Sequence, residues 1–393
     1  MKLEMVYDRK DEEIRHTLKF IKERSYVARA LMPEGYERYF QEHARYLSAH
    51  TSTAIEGNPL GHTRAMIVLI EGADPEKPAE VEKVNLEQAY ETIDWLSQDP
   101  TTKIDQGIIR TLNSQTLKDL PDVKARRRGM YRVGPAVIVD SGTREIRYRP
   151  PAAEILPNLM DGLTADIERW RHHEPGAVAA ALAHFGLICV HPFEDGNGRT
   201  ARVVSDMVLN LTGWSVAGAL SANMIILDRR SEYYYVLRQV QGEDYKDKLD
   251  VTEFVRFHCK ALGDAAIDLE AKVVWFNQRR DTVFGASDGL LNPRQVTALM
   301  FMHDLGPLST SMYAKVTSSS PSSALVDLGQ LIDSELVVRE GAGPSTRYKL
   351  SEHVWELLEK VREEQDSPLP AEQDSPLPAI EGPELEPAET PQG

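Results

Sequence analysis

Two cysteines in 393 residues, at positions 189 and 259 and in no CxxC spacing, leave neither a disulfide framework nor a thiolate metal site. Cys189 and Cys259 instead read as small buried apolar residues. Long hydrophobic runs are also missing. The most apolar stretches, 177–190 and 217–227, are too short and too interrupted to span a bilayer, so no membrane partner is expected. The opening Met1-Lys2-Leu3-Glu4 has no signal-peptide core, which makes a cytoplasmic location the expectation. Nor is there an excess of positive charge: 45 Lys and Arg against 61 Asp and Glu give a formal charge of -16, the reverse of what a general nucleic-acid binder carries. The acid is unevenly placed, because residues 351–393 hold twelve acidic side chains against Lys360 and Arg362.

What the chain does have is enough apolar residues, 41%, for a globular protein of two or three units. The pattern divides into 1–110, 111–276, 277–350 and 351–393, and the fold class is mainly α. The first part repeats helical spacing, as in Ile14, Leu18 and Ile21, with turns at Pro59, Gly61, Pro75, Pro78 and Pro100. Segments 130–133, 136–139 and 145–148 are β-prone, and a turn at 140–143 makes the last two a β-hairpin within an otherwise helical domain. From 291 to 350 three helical segments precede two β-prone ones, which is the order of a small winged helix. Two copies of Glu-Gln-Asp-Ser-Pro-Leu-Pro-Ala, at 364–371 and 372–379, predict disorder beyond 364.

The chemistry concentrates in His191-Pro192-Phe193-Glu194-Asp195-Gly196-Asn197-Gly198-Arg199-Thr200-Ala201-Arg202. Apolar runs of helical spacing flank it, so it reads as a loop opening onto a helix N-terminus, a geometry that collects anions. His191 is either a hydrogen-bonded core histidine or, with an ordinary pKa of ~6.5, the base for a hydroxyl. Asp195 is either a helix cap or the single carboxylate that Mg2+ takes when phosphates and water complete its shell. Gly196 and Gly198 let a ligand approach the backbone around Asn197. Arg199 and Arg202 lie three residues apart, on one helical face, so both can reach one polyphosphate.

This segment resembles the Fic domain signature HPFx(D/E)GNGRxxR and matches each of its defined positions. The resemblance implies a helical Fic fold with a β-hairpin flap over roughly residues 1–276, and transfer of AMP from ATP to a hydroxyl side chain of a target protein or of the chain itself. By that carry-over His191 deprotonates the hydroxyl, Phe193 anchors the loop, Asp195 holds Mg2+, Gly196, Asn197 and Gly198 form an anion hole, and Arg199 and Arg202 grip the phosphates.

Gly129, Tyr131, Arg132 and then Val137-Ile138 resemble the start of the family's flap, whose edge at Val133, Val137 and Ile138 would hold a target segment. Tyr233 and Tyr234 fall where the family often places aromatics around adenine, although a tyrosine row on a helix is core as often as it is a cofactor wall. Ser52-Thr53-Ala54-Ile55-Glu56-Gly57 resembles the inhibitory pattern (S/T)xxxE(G/N), which implies that Ser52 and Glu56 belong to a brake acting on Arg202. The winged helix has five basic and five acidic residues between 291 and 350 and none of the basic ones on its third helix, which favours protein contact or a homodimer over DNA. Two other activities stay open: removal of AMP by a phosphodiesterase, and a nucleotide-sensing transcriptional regulator.

Overall fold

The computed structural model describes residues 2–121, 125–139, 145–287 and 291–366. The expected turn at 140–143 and the tandem octapeptides beyond residue 366 lie outside these residues. From the N-terminus, β1 (Glu4–Val6) leads into α1 (Glu12–Leu31), α2 (Glu37–Ile55), α3 (His62–Glu71), α4 (Pro78–Leu96) and α5 (Gln106–Thr116). The strands β2 (Ile138–Val139) and β3 (Ile146–Tyr148) precede α6 (Leu156–His173), α7 (Gly176–Val190), α8 (Asn197–Leu211), α9 (Asn223–Asp228) and α10 (Arg230–Gln241). After β4 (Lys248–Asp250) and α11 (Thr252–Ala286) come α12 (Pro293–Leu305), α13 (Thr310–Val316), α14 (Pro321–Asp333), β5 (Val337–Glu340), β6 (Arg347–Leu350) and α15 (Glu352–Asp366). The fold is mostly helical, as its composition and periodicity predict.

The core is built around α7, in which every residue from Gly176 to Val190 is buried; a helix apolar on all sides can only be central. Against it pack α6, α8 and α11, and α1 lies along α11. Helix α1 shows how sequence sets these elements: the Asp11 carboxylate accepts the Ile14 N–H at 2.8 Å, Glu12 and Glu13 occupy the first turn, and Ile14, Ile21 and Ala28 recur every seven residues as the buried stripe.

Three features depart from the sequence expectation. Residues 130–133 do not form a strand; only Tyr131 bridges, to Phe193, because the chain here wraps the functional loop instead of pairing with the hairpin. The hairpin itself is short, with Ile138 opposite Tyr148 and Val139 opposite Ile146. Residues 276 and 277 sit inside the 35-residue α11, which runs straight through the boundary placed there. A parallel pair, β1 with β4, also escaped notice, since three-residue strands are too short to show alternation.

The C-terminal unit is three helices followed by the antiparallel ribbon β5–β6. It rests on the N-terminal helices: Lys315 Nζ donates to the Leu69 carbonyl and Ser318 Oγ donates to Glu42 Oε1 at 3.1 Å. Its second anchor is Arg279 of α11, almost fully buried, whose Nη1 donates to Asp304 at 2.7 Å. Residues 352–366, assigned from their charge to the acidic tail, form α15, which buries Val354 and Leu358. Helix α14 exposes Leu325 and Val326.

Buried histidines give the fold a pH signature. Burial lowers His50 and His258 to about 4 and His184 well below its ordinary value. A histidine depressed in the folded state contributes stability that is complete above the unfolded value of ~6.5 and is lost as pH falls toward the folded one. Burial raises Asp206 to about 7, and this works in the opposite sense over the same range. His43 and His191 are also held near 4, so five buried imidazoles outweigh the two raised carboxyls, Asp206 and Asp94, and stability falls on going from pH 6 to 5. Thermal melts across that interval should shift steadily downward; a flat melting temperature would show that these rings are solvated.

Candidate functional site

The loop between α7 and α8 is fixed from both sides. Helix α7 ends at His191, which adopts φ 48 and ψ 59, a left-handed conformation that a side chain with a Cβ enters only when its surroundings hold it there. Arg132 is one such holder: its Nε donates to the His191 carbonyl at 2.9 Å, its Nη1 to Gly134 O at 3.0 Å and its Nη2 to Pro151 O, while its own N–H meets Pro192 O at 2.9 Å. From within, Asn197 Oδ1 accepts the Phe193 N–H and Asn197 Nδ2 donates to Phe193 O, both at 3.0 Å. Phe193 is buried and its ring lies 5.7 Å from that of Tyr131. Asn113, fully buried on α5, donates to Asp195 O at 2.9 Å and accepts the Gly129 N–H at 3.1 Å.

Because Arg132 satisfies three main-chain carbonyls in a dry setting, replacing it with methionine strands them at about 1–3 kcal/mol each. Arg132→Met should therefore lower unfolding free energy by roughly 3 kcal/mol or more, measured by denaturant titration. A loss below about 1 kcal/mol would mean that water replaces the guanidinium there.

Helix α8 begins at Gly196, whose φ of 75 suits glycine, and no side chain caps its first turn. The open N–H groups there face the same way as a phosphate site requires. Gly198 is needed for a different reason: a Cβ on it would stand 2.3 Å from Glu56 Oε1. Glu56, at the end of α2, therefore lies directly over the first turn of α8.

Below Glu56 is Arg202, 1% exposed, with Nη2 donating to Glu56 Oε1 at 2.7 Å and to Ser52 O at 2.9 Å, and Nε to Ser52 Oγ at 2.7 Å. Burial works to raise the Glu56 pKa, but the charge and hydrogen bond of Arg202 outweigh it and hold the carboxyl below its ordinary value. The pair is thus ionised at neutral pH. Arg199 is engaged as well: Nη1 donates to Glu82 Oε1 and Nη2 to Asp195 Oδ1 at 3.0 Å. Asp195 Oδ1 also accepts the Gly196 N–H at 2.5 Å.

A cleft of about 520 Å³ opens above these groups, lined by His191, Gly198 and Glu56 on its floor, Tyr233, Tyr234, Arg230 and Gln241 from α10, and Ile138, Val139 and Arg147 from the hairpin. This volume is within the range of small-molecule sites. Burial lowers the His191 pKa to about 4; Arg132 adds to this, while the Ile188 carbonyl, Glu56 and Asp195 oppose it. The imidazole is therefore neutral at pH 7 and able to take a proton. Tyr233 lines the cleft but is buried, its hydroxyl turned to His184 Nε2 at 3.0 Å. Tyr234 is more exposed, with its hydroxyl 3.4 Å from Ile55 O and Arg230 over its ring. Val133 and Val137 are exposed and do not line the cleft, in contrast to Ile138.

Sequence inspection singled out neither Asn113 nor Glu82. Their partners lie 82 and 117 positions away, and a lone polar residue in an amphipathic helix carries no local sign of such a contact.

Comparison with known proteins agrees with this geometry. Residues 103–209 match the Fic/DOC family. The curated Protein adenylyltransferase Fic of Nematostella vectensis is 30% identical over 237 residues, covering 56% of this chain and 46% of its own length. The protein of the same name from Drosophila melanogaster is 26% identical over 234 residues, covering 56% and 40%. The chain thus spans less than half the length of these relatives. Among solved structures, a Fic family protein from Desulfovibrio desulfuricans G20 aligns with a TM-score of 0.53 at 22% identity, covering 87% of this chain and 96% of that one. A Fic domain containing signaling protein from Bacteroides thetaiotaomicron VPI-5482 aligns with a TM-score of 0.54 at 21% identity, covering 65% and 97%. At such identities the structural likeness speaks for the fold alone, and the sequence match makes residues 103–209 a segment similar to the Fic/DOC family.

Proposed function

We propose that the chain is a protein adenylyltransferase that moves AMP from ATP to a Ser, Thr or Tyr hydroxyl, with Glu56 as its brake. The observation that carries this reading is the cleft lined by the neutral His191 imidazole, by Gly198 at the uncapped start of α8 and by Glu56, whose carboxylate covers the buried Arg202. The relatives named adenylyltransferases support it. In the reaction the target hydroxyl oxygen bonds to the α-phosphorus, the bond to the bridging oxygen of pyrophosphate breaks, and the hydroxyl proton passes to His191. Positioning and charge neutralisation carry most of such a transfer, and no protein nucleophile is required.

Among the described residues no group of three His, Cys, Asp or Glu side chains could hold a metal by itself. That suits Mg2+, which binds through one or two carboxylates and lets phosphates and water complete its shell. Asp195, about half exposed beside the α8 start, is the residue that would hold it, and the ion would neutralise phosphate charge. The hairpin, with Val139 and Ile146 half exposed, would take an extended target segment as an added strand along β2.

At the C-terminal unit, the exposed Leu325 and Val326 and the lack of basic residues on α14 favour a protein partner over DNA. Among the described residues no helix is long and apolar enough to cross a membrane. Mass-spectrometric detection of AMP on protein incubated with ATP and Mg2+ tests the reading, and absence of AMP even after Glu56 is removed would overturn it.

A further inference from the structure

The phosphate-facing arginines are not held alike. Arg202 is held by Ser52 and Glu56, both from α2. Arg199 is held by Glu82, on α4. Glu82 is partly buried, and both its oxygens are taken: Oε1 accepts from Arg199, and Oε2 accepts from Asn58 Nδ2 at 2.7 Å. Asn58 donates in addition to Ala79 O at 2.9 Å, and it follows Glu56 by two residues. The adjacent Lys83 is fully buried and donates to Thr53 Oγ1 at 2.6 Å and to His50 O at 3.2 Å, so α4 grips the end of α2 twice.

We propose that Glu82 is a positioning residue of the nucleotide site: it sets the Arg199 guanidinium for phosphate and, through Asn58, joins that arginine to the segment bearing Glu56. This rests on the adenylyltransferase reading. Of the two carboxylates on Arg199, the Asp195 side chain is half exposed while that of Glu82 is mostly shielded from water. An exposed ion pair yields readily to a competing anion, whereas a shielded one fixed at both oxygens does not. When phosphate arrives, Arg199 releases Asp195 and pivots on Glu82. Its Nε, buried and without a hydrogen-bond partner, and its freed Nη2 then present two parallel donors, the fork that phosphate recognition uses.

Without Glu82 the arginine must be ordered at the moment of binding, which weakens affinity. The test uses the full chain with Glu56→Gly, so that ATP and Mg2+ meet an open site, and reads ATP affinity by calorimetry and AMP transfer separately. Adding Glu82→Gln, which keeps the size of the side chain and its contact with Asn58, should raise Kd about ten-fold, with the rise in KM exceeding any fall in kcat. In an Arg199→Ala background the same change should leave Kd unaltered, because a residue that acts through another has no effect once that other is gone.

A merely structural residue would lower the melting temperature and leave Kd alone. Unchanged affinity, tighter binding that would make Glu82 a competitor of phosphate, or equal weakening with and without Arg199 would each overturn the assignment. Loss of AMP transfer in the Glu56→Gly parent with ATP still bound would instead defeat the adenylyltransferase reading and leave the Kd comparison for Glu82 intact.

Discussion

Glu56→Gly should raise AMP transfer by roughly 10- to 100-fold, the range expected when a charged hydrogen bond of about 1.5–3 kcal/mol no longer competes with a ligand. Arg202 has almost no contact with solvent, and among the described residues Glu56 is its only carboxylate partner. A phosphate that is to be gripped by Arg202 must displace that carboxylate, which also fills the space over Gly198. The depressed pKa of Glu56 keeps its ion pair with Arg202 intact at neutral pH, and the pair should weaken only as pH falls through the acidic range where the carboxyl takes up a proton. Ser52 still accepts from Nε and Nη2 in the variant, so the guanidinium stays oriented when the glutamate is gone. The gain should appear as labelled AMP on protein at fixed ATP, accompanied by a lower melting temperature without nucleotide, because a buried arginine then lacks its counter-charge. Equal transfer by the two proteins would remove Glu56 from the regulation of this site.

The candidate loop was legible because its chemistry is contiguous: twelve residues hold the histidine, the carboxylates, the glycines and both arginines, and flanking helical periodicity tells which way the loop opens. The Glu56–Arg202 pair, 146 positions apart, was found only through the family resemblance; spacing alone makes Glu56 an ordinary helix-end residue. What stayed hidden was the support. Asn113, Glu82 and Lys83 sit on amphipathic helices where one polar side chain looks like another, and their burial follows from how α4 and α5 pack on α2 and α8. Arg132 was visible as a motif residue, but its use as a brace for His191 and Pro192 was not, because segment 130–133 has strand composition and gains more by wrapping the loop than by pairing. The extent of α11 was missed for a related reason. Its polar stretch near Asn277 to Asp281 reads as a boundary, yet Arg279 there is buried between two units and paired with Asp304.

His191→Ala should cut transfer in the Glu56→Gly background by about 10²- to 10⁴-fold, the usual contribution of a positioned general base. The phosphate-binding groups are separate: Arg199 and Arg202 hold their partners without any contact to the imidazole, so ATP affinity should change little. A fall in kcat with Kd preserved is therefore the expected pattern, and a fall in both would point to a collapsed loop. The backbone at position 191 keeps its left-handed turn in the variant at a cost of about 1 kcal/mol or more, because Arg132 and the Leu187 carbonyl hold the main chain and not the ring. The pH profile adds a second check. With burial setting the imidazole near 4, the base is already neutral throughout the range above pH 5, so the acid limb of the rate should fall well below the ordinary histidine value of ~6.5. A limb near 6.5 that disappears in His191→Ala would show a solvated ring, and residual transfer within ten-fold of the parent would mean that the proton leaves by another route.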